Sequence, residues 1–76
     1  EHLGRQQAEE ASNKQNRDYI RAYFLLNDYP RVIQYAKALQ VPAVTDAWTC
    51  YRIGEAYYQT GSYQEALPWY ERSIIL

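Results

Sequence analysis

Seventy-six residues with 47% hydrophobic side chains make one small domain, and a chain of that size buries only about 60% of the surface its unfolded form exposes. A formal net charge of -1 and a pI near 5.7 provide no overall positive field for a phosphate backbone, which argues against nucleic acid as a partner, RNA bases included. A single cysteine and a single histidine exclude an internal disulfide and the ligand sets of structural zinc. The longest apolar runs, Phe24-Leu25-Leu26 and Ile74-Ile75-Leu76, fall far short of the roughly 18 residues of a membrane span.

Residues 1–12 carry only Leu3, Ala8 and Ala11 as apolar contributions, so they read as a polar, frayed or solvated helical lead-in. From Asn13 the pattern sharpens. Tyr19, Ile20, Tyr23 and Leu26 recur at helical steps, and Asn27-Asp28 supplies residues that tolerate a turn. Pro30 then fits the first turn of a second helix, where its missing N–H is no loss. Val32, Ile33, Ala36 and Leu39 trace that helix's apolar stripe to an end near Gln40. Val41-Pro42-Ala43-Val44 cannot comfortably continue a helix, and Thr45 or Asp46 is placed to cap a third one. That third helix is expected over Ala47 to Gln59, stopping at Thr60-Gly61. Ser62 and Glu65 have the spacing of a capping box for a fourth, and Pro68 inside it predicts a bend.

Within the last two helices, Cys50-x-x-Ile53-Gly54-x-x-Tyr57 is followed by Gly61-x-Tyr63-x-x-Ala66-x-x-x-Tyr70. Gly54 and Ala66 are small residues on otherwise large apolar faces. They mark where two helices approach most closely, with Tyr57, Tyr63 and Tyr70 filling the surrounding volume. A shift of 34 residues also pairs Ala22-Tyr23-Phe24 with Ala56-Tyr57-Tyr58, and Asn27-x-Tyr29 with Gly61-x-Tyr63. Small/large pattern and period together resemble the tetratricopeptide repeat, with Cys50 where tryptophan is usual, Ile53 for leucine and Tyr70 for phenylalanine.

The resemblance implies an all-α fold of antiparallel helix hairpins stacked as a right-handed superhelix, an α-solenoid fragment of about four helices. Residues 13–46 would form a degenerate first repeat and 47–76 a second. In the first repeat the shift sets Ile20 against Gly54 and Ala36 against Tyr70. Bulk is therefore exchanged across the hairpin while core volume is conserved. The chain also reads as a piece of something longer, its compartment open, with a soluble, cytoplasmic setting favoured.

Catalytic chemistry has little to stand on. His2 lies in the lead-in, beyond any framework that could aim it at a nucleophile. Glu9 and Glu10 are adjacent and point to different sides of a helix, so they share no proton. Gly4, Gly54 and Gly61 build no phosphate-cradling loop. Cys50, one turn before Gly54, reads as a buried filler. No enzyme activity, cofactor or metal is expected.

In the family that the chain resembles, the first helix of each hairpin lines a concave surface that holds extended protein segments. Carried onto this sequence, that surface comprises Lys14, Arg17, Arg21 and Phe24 from the first repeat. The second contributes Trp48, Tyr51, Arg52, Glu55 and Tyr58, whereas Tyr35 and Trp69 fall on the convex side. The basic stripe Lys14/Arg17/Arg21 repels itself and would be relieved by a partner's carboxylates; alternatively it is a solvated face partly neutralised by Glu10 and Asp18. Some family members clamp a terminal carboxylate with lysine and asparagine, but Arg21 and Arg52 stand where asparagines would be expected. Two readings follow. One is a non-catalytic module binding a short acidic or aromatic-containing protein segment. The other is a structural assembly element whose repeats only stack on other copies or on neighbouring repeats; separately, the apolar end at Ile74 and Leu76 is expected to make this chain self-associate.

Overall fold

Two residues in the left-handed region, Asn27 at φ 58° and Gly61 at φ 87°, reverse the chain at positions 34 apart and so define two helix hairpins. The structure is a computed structural model describing residues 2–39 and 46–75, with side chains from residue 11 onward. Four helices run in order: α1 (His2–Leu25), α2 (Tyr29–Lys37), α3 (Ala47–Gln59) and α4 (Tyr63–Ile75). Among the described residues there is no strand.

The two reversals match bond for bond. Asp28 N–H donates to the Tyr23 carbonyl at 2.9 Å and Ser62 N–H to that of Tyr57 at 2.8 Å. Asn27 N–H reaches Phe24 at 3.0 Å, and Gly61 N–H reaches Tyr58 at 3.1 Å. These are the two bonds of a Schellman motif, which satisfies the last carbonyls of a helix when the following residue turns left-handed. Glycine adopts that conformation freely, and asparagine is among the few side chains that tolerate it.

The helix bounds follow local chemistry, with some departures from expectation. α1 is continuous from His2, so the polar lead-in and the first apolar helix form one element. α2 has Pro30 in its first turn, as anticipated, but ends at Lys37, ahead of the expected close near Gln40. Three-residue turns carry the chain on, from Ala38 N–H to the Tyr35 carbonyl and from Leu39 N–H to that of Ala36, tightening the exit while keeping Leu39 in the core. Gln40, the Val41–Val44 loop and Thr45 lie outside the described residues. α3 occupies the expected span. α4 begins after Ser62, yet the Ser62/Glu65 side-chain box is not formed; Ser62 enters the helix through its carbonyl, which accepts from Ala66 N–H at 3.1 Å. Pro68 does not end α4, which continues to Ile75.

The core joins the hairpins. Ile20, Val32, Ala36 and Leu39 from the first meet Cys50, Ile53 and Ala56 from α3, which packs against both α1 and α2. Cys50 is fully buried, and desolvation raises its thiol pKa, which fits the filler role. In the second hairpin, a β-carbon on Gly54 would stand 3.0 Å from Tyr70 Cδ1 and 3.1 Å from Cε1. The glycine thus makes room for an aromatic ring rather than for a helix backbone.

Two aromatics expected on the convex surface are held more deeply. Tyr35 stacks on Tyr19 at 4.8 Å and on Tyr23 at 5.6 Å between ring centroids. Those partners sit one helical turn apart on α1, so the ring fills the α1–α2 seam. Trp69 packs half-buried against the core, with the Arg72 guanidinium 5.4 Å above its ring. Tyr63, assigned to filling the seam, is instead mostly exposed.

Candidate functional site

α1 and α3 run side by side, and their outward faces leave a cleft of about 430 Å³ between them. α1 contributes Arg17, Asp18 and Arg21; α3 and its cap contribute Asp46, Trp48, Thr49 and Arg52. Helical spacing of three and four puts Arg17 and Arg21 on one stripe of α1, and the same spacing aligns Trp48 with Arg52. The packing of α1 against α3 turns the two stripes toward each other.

Asp46 anchors the α3 side. Its Oδ1 accepts from Trp48 N–H at 3.0 Å and its Oδ2 from the Thr49 hydroxyl at 2.7 Å. The Thr49 bond, supported by the backbone N–H bonds and the Arg52 charge, holds the carboxyl below its ordinary value of 3.8, against the opposing effect of burial. Removing this cap as Asp46→Ala should cost about 1 kcal/mol. Because the folded-state pKa is depressed, the charge-dependent part of that contribution is present above the unfolded value and is lost as pH falls through the folded one. Thermal melts should therefore separate wild type from variant at pH 6 and bring them together as pH falls below about 3.8.

The cleft sets three guanidiniums against two carboxylates. Asp46 is committed to capping, and Asp18 sits 3.8 Å from Lys14 in an exposed pair of the kind worth little. Arg17, Arg21 and Arg52 make no ion pair with another described residue. Arg52 instead lies 5.9 Å from the Trp48 ring centroid, and Trp48, two-thirds exposed, meets Tyr51 edge-on at 6.3 Å. Guanidinium forks match carboxylates bidentately, and an exposed indole offers a flat apolar face. Together these groups can hold a carboxylate next to an apolar or aromatic side chain.

The nine residues assigned to the concave surface do not converge on one place. Arg17, Arg21, Trp48 and Arg52 line the cleft. Lys14 pairs with Asp18 outside its lining, and Phe24 is half-buried edge-on to Tyr29 at 6.1 Å. Tyr51 borders a neighbouring hollow of about 440 Å³ with Ala47, Trp48 and Ser73. Glu55 accepts the Tyr70 hydroxyl at 2.6 Å and the Gln59 amide at 3.0 Å. Burial first, and then that bond to Glu55, push the Tyr70 phenol well above its usual range. Tyr58 meets Tyr63 edge-on at 5.0 Å on a third, apolar groove. Sequence reasoning had read Asp46 only as a cap and had not placed Asp18 or Thr49 at the site.

Ile74 is almost fully exposed near the end of α4; Leu76 lies outside the described residues, as does the side chain of His2. Among the described residues, no group of three or more histidine, cysteine or acidic side chains could hold a metal ion, and no helix is long and apolar enough to cross a membrane. Residues 47–76 match the family model described as tetratricopeptide repeat. No curated protein and no solved structure matches the chain.

Proposed function

We propose that this chain, whose residues 47–76 belong to the tetratricopeptide repeat family, is a non-catalytic protein-interaction module that grips a short acidic segment in the α1–α3 cleft. Repeats of this family generally mediate protein–protein interaction. We extend the assignment to residues 13–46 as a degenerate repeat, supported by the identical backbone bonding of the turns at Asn27 and Gly61. The observation that carries the binding reading is the set of three guanidiniums, Arg17, Arg21 and Arg52, facing one cleft beside the exposed indole of Trp48. An acidic segment bearing an aromatic or apolar residue fits both features, with its carboxylates on the arginines and its side chain on the indole.

The test is a titration of acidic peptides from an unbiased library, followed by intrinsic fluorescence of Trp48 and Trp69. Reversing Arg17 and Arg21 to glutamate should weaken binding at least about tenfold, because attraction becomes repulsion at both positions. Helix content should be unchanged, since neither side chain enters the core. Added salt should weaken wild-type binding as well. Affinity that survives the double reversal, or a library that yields no binder, would overturn the reading.

A second reading, an element that assembles with copies of itself, is favoured by the exposed apolar side chains of α4, among them Ile74. In that reading Ile74 and Leu76 belong to the contact.

A further inference from the structure

The groove bordered by Tyr58, Tyr63, Leu67 and Tyr70 has a volume of about 460 Å³ and an almost wholly apolar lining. The first hairpin already contains the same surface, covered. Moved back 34 residues, Tyr58, Tyr63 and Leu67 become Phe24, Tyr29 and Ile33. Those three are half-buried against the core to which α3 contributes Cys50, Ile53 and Ala56. Tyr58, Tyr63 and Leu67 are instead exposed to 51%, 61% and 58%. The first-hairpin surface is packed against a core that both hairpins share, and the second-hairpin surface is its exposed counterpart.

The sequence of α4 indicates which helix fits there. Tyr63, Leu67, Tyr70 and Ile74 are spaced four, three and four apart, the spacing of a two-helix seam. The order four-three-four is the same read from either end. An antiparallel copy of α4 therefore meets the seam in register, Tyr63 opposite Ile74 and Leu67 opposite Tyr70, with each contact made twice about a two-fold axis. Such self-complementarity is what an isologous dimer interface requires.

We propose that a second copy of this chain occupies the groove, its α4 lying antiparallel along the first copy's α4 through Tyr63, Leu67, Tyr70 and Ile74. This rests on the assembly reading and names its contact. α4 is only about 20 Å long, so the buried area falls below that of a standard stable interface. Association belongs in the micromolar to millimolar range.

Sedimentation equilibrium of the 76-residue chain up to about millimolar should show a monomer–dimer equilibrium. Leu67→Glu should raise the dissociation constant at least about tenfold by placing a charge in the apolar seam, and circular dichroism should show an unchanged fold, as Leu67 is exposed. A second measurement fixes the geometry. Tyr63→Cys chains mixed with Ile74→Cys chains should form an intermolecular disulfide on oxidation. Unmixed chains should not, because identical positions lie about 16 Å apart along an antiparallel pair, beyond the reach of a disulfide. A chain monomeric at every concentration overturns both this proposal and the assembly reading; that is the expected result if a different helix covers the groove. A dimer indifferent to Leu67→Glu, or disulfides that form equally well in unmixed chains, overturns the α4 pairing alone and leaves the assembly reading standing.

Discussion

Ile53→Ala should lower the denaturation midpoint more than any other single truncation considered for this chain. Ile53 has no exposed surface and belongs to the cluster that joins Ile20, Val32, Ala36 and Leu39 of the first hairpin to Cys50 and Ala56 of α3. Truncation there loses transfer free energy and leaves a cavity between elements from both hairpins, at a cost of about 2–5 kcal/mol. A domain of this size has about 4–11 kcal/mol of stability in total, so the variant should be largely unfolded under mild denaturant. Urea unfolding followed by circular dichroism, with Gln34→Ala on the exposed face of α2 as a control, provides the comparison. Near-equal midpoints for the two variants would mean that the hairpins do not share a core at Ile53.

The second large effect concerns a pair. Gly54→Ile should destabilise by about 1–3 kcal/mol, because its side chain must displace the Tyr70 ring; the helix propensity gained over glycine offsets only a fraction of that. In the first hairpin, the corresponding positions hold Ile20 and Ala36, both buried. Adding Tyr70→Ala to Gly54→Ile therefore copies a combination that the chain already packs elsewhere. The double variant should be less destabilised than the sum of the two single ones, with a coupling of about 0.5–3 kcal/mol. The loss of the Tyr70–Glu55 hydrogen bond keeps the rescue incomplete. Additive effects would show that the volume exchange between the two hairpins is not a packing compensation.

The helices were legible where the sequence punctuates them chemically. α3 spans Ala47–Gln59 as anticipated because Asp46 caps one end and Thr60-Gly61 closes the other. α2 stops early because its last turn is set by three-residue bonds, which leave no mark on the apolar stripe through Leu39. The Ser62/Glu65 spacing suggested a side-chain box, but the Schellman bond from Ser62 N–H already fixes the entry to α4.

The cleft was only half legible. Helical spacing identified Arg17 with Arg21 and Trp48 with Arg52 as neighbours on their own helices. It could not specify how far α1 and α3 rotate toward each other, and that rotation separates Lys14 and Phe24 from the cleft and brings Asp46 and Thr49 into it. The burial of Tyr35 was hidden for a related reason: its position on α2 was readable, while its stacking against Tyr19 and Tyr23 depends on the depth of the α1–α2 seam.

The paired reversals at Asn27 and Gly61 separate what the backbone holds from what the side chains vary. Their geometry is held by main-chain bonds that recur in both hairpins, although a different residue stands at each left-handed position. The shape of each hairpin is thus held by the backbone, while the side chains around it differ in size and charge between the two. Ile20 with Ala36 in one hairpin stands where Gly54 with Tyr70 stands in the other, and the same backbone carries a basic α1 face in the first and an aromatic α3 face in the second. A hairpin held in this way can present a different surface without renegotiating how it folds.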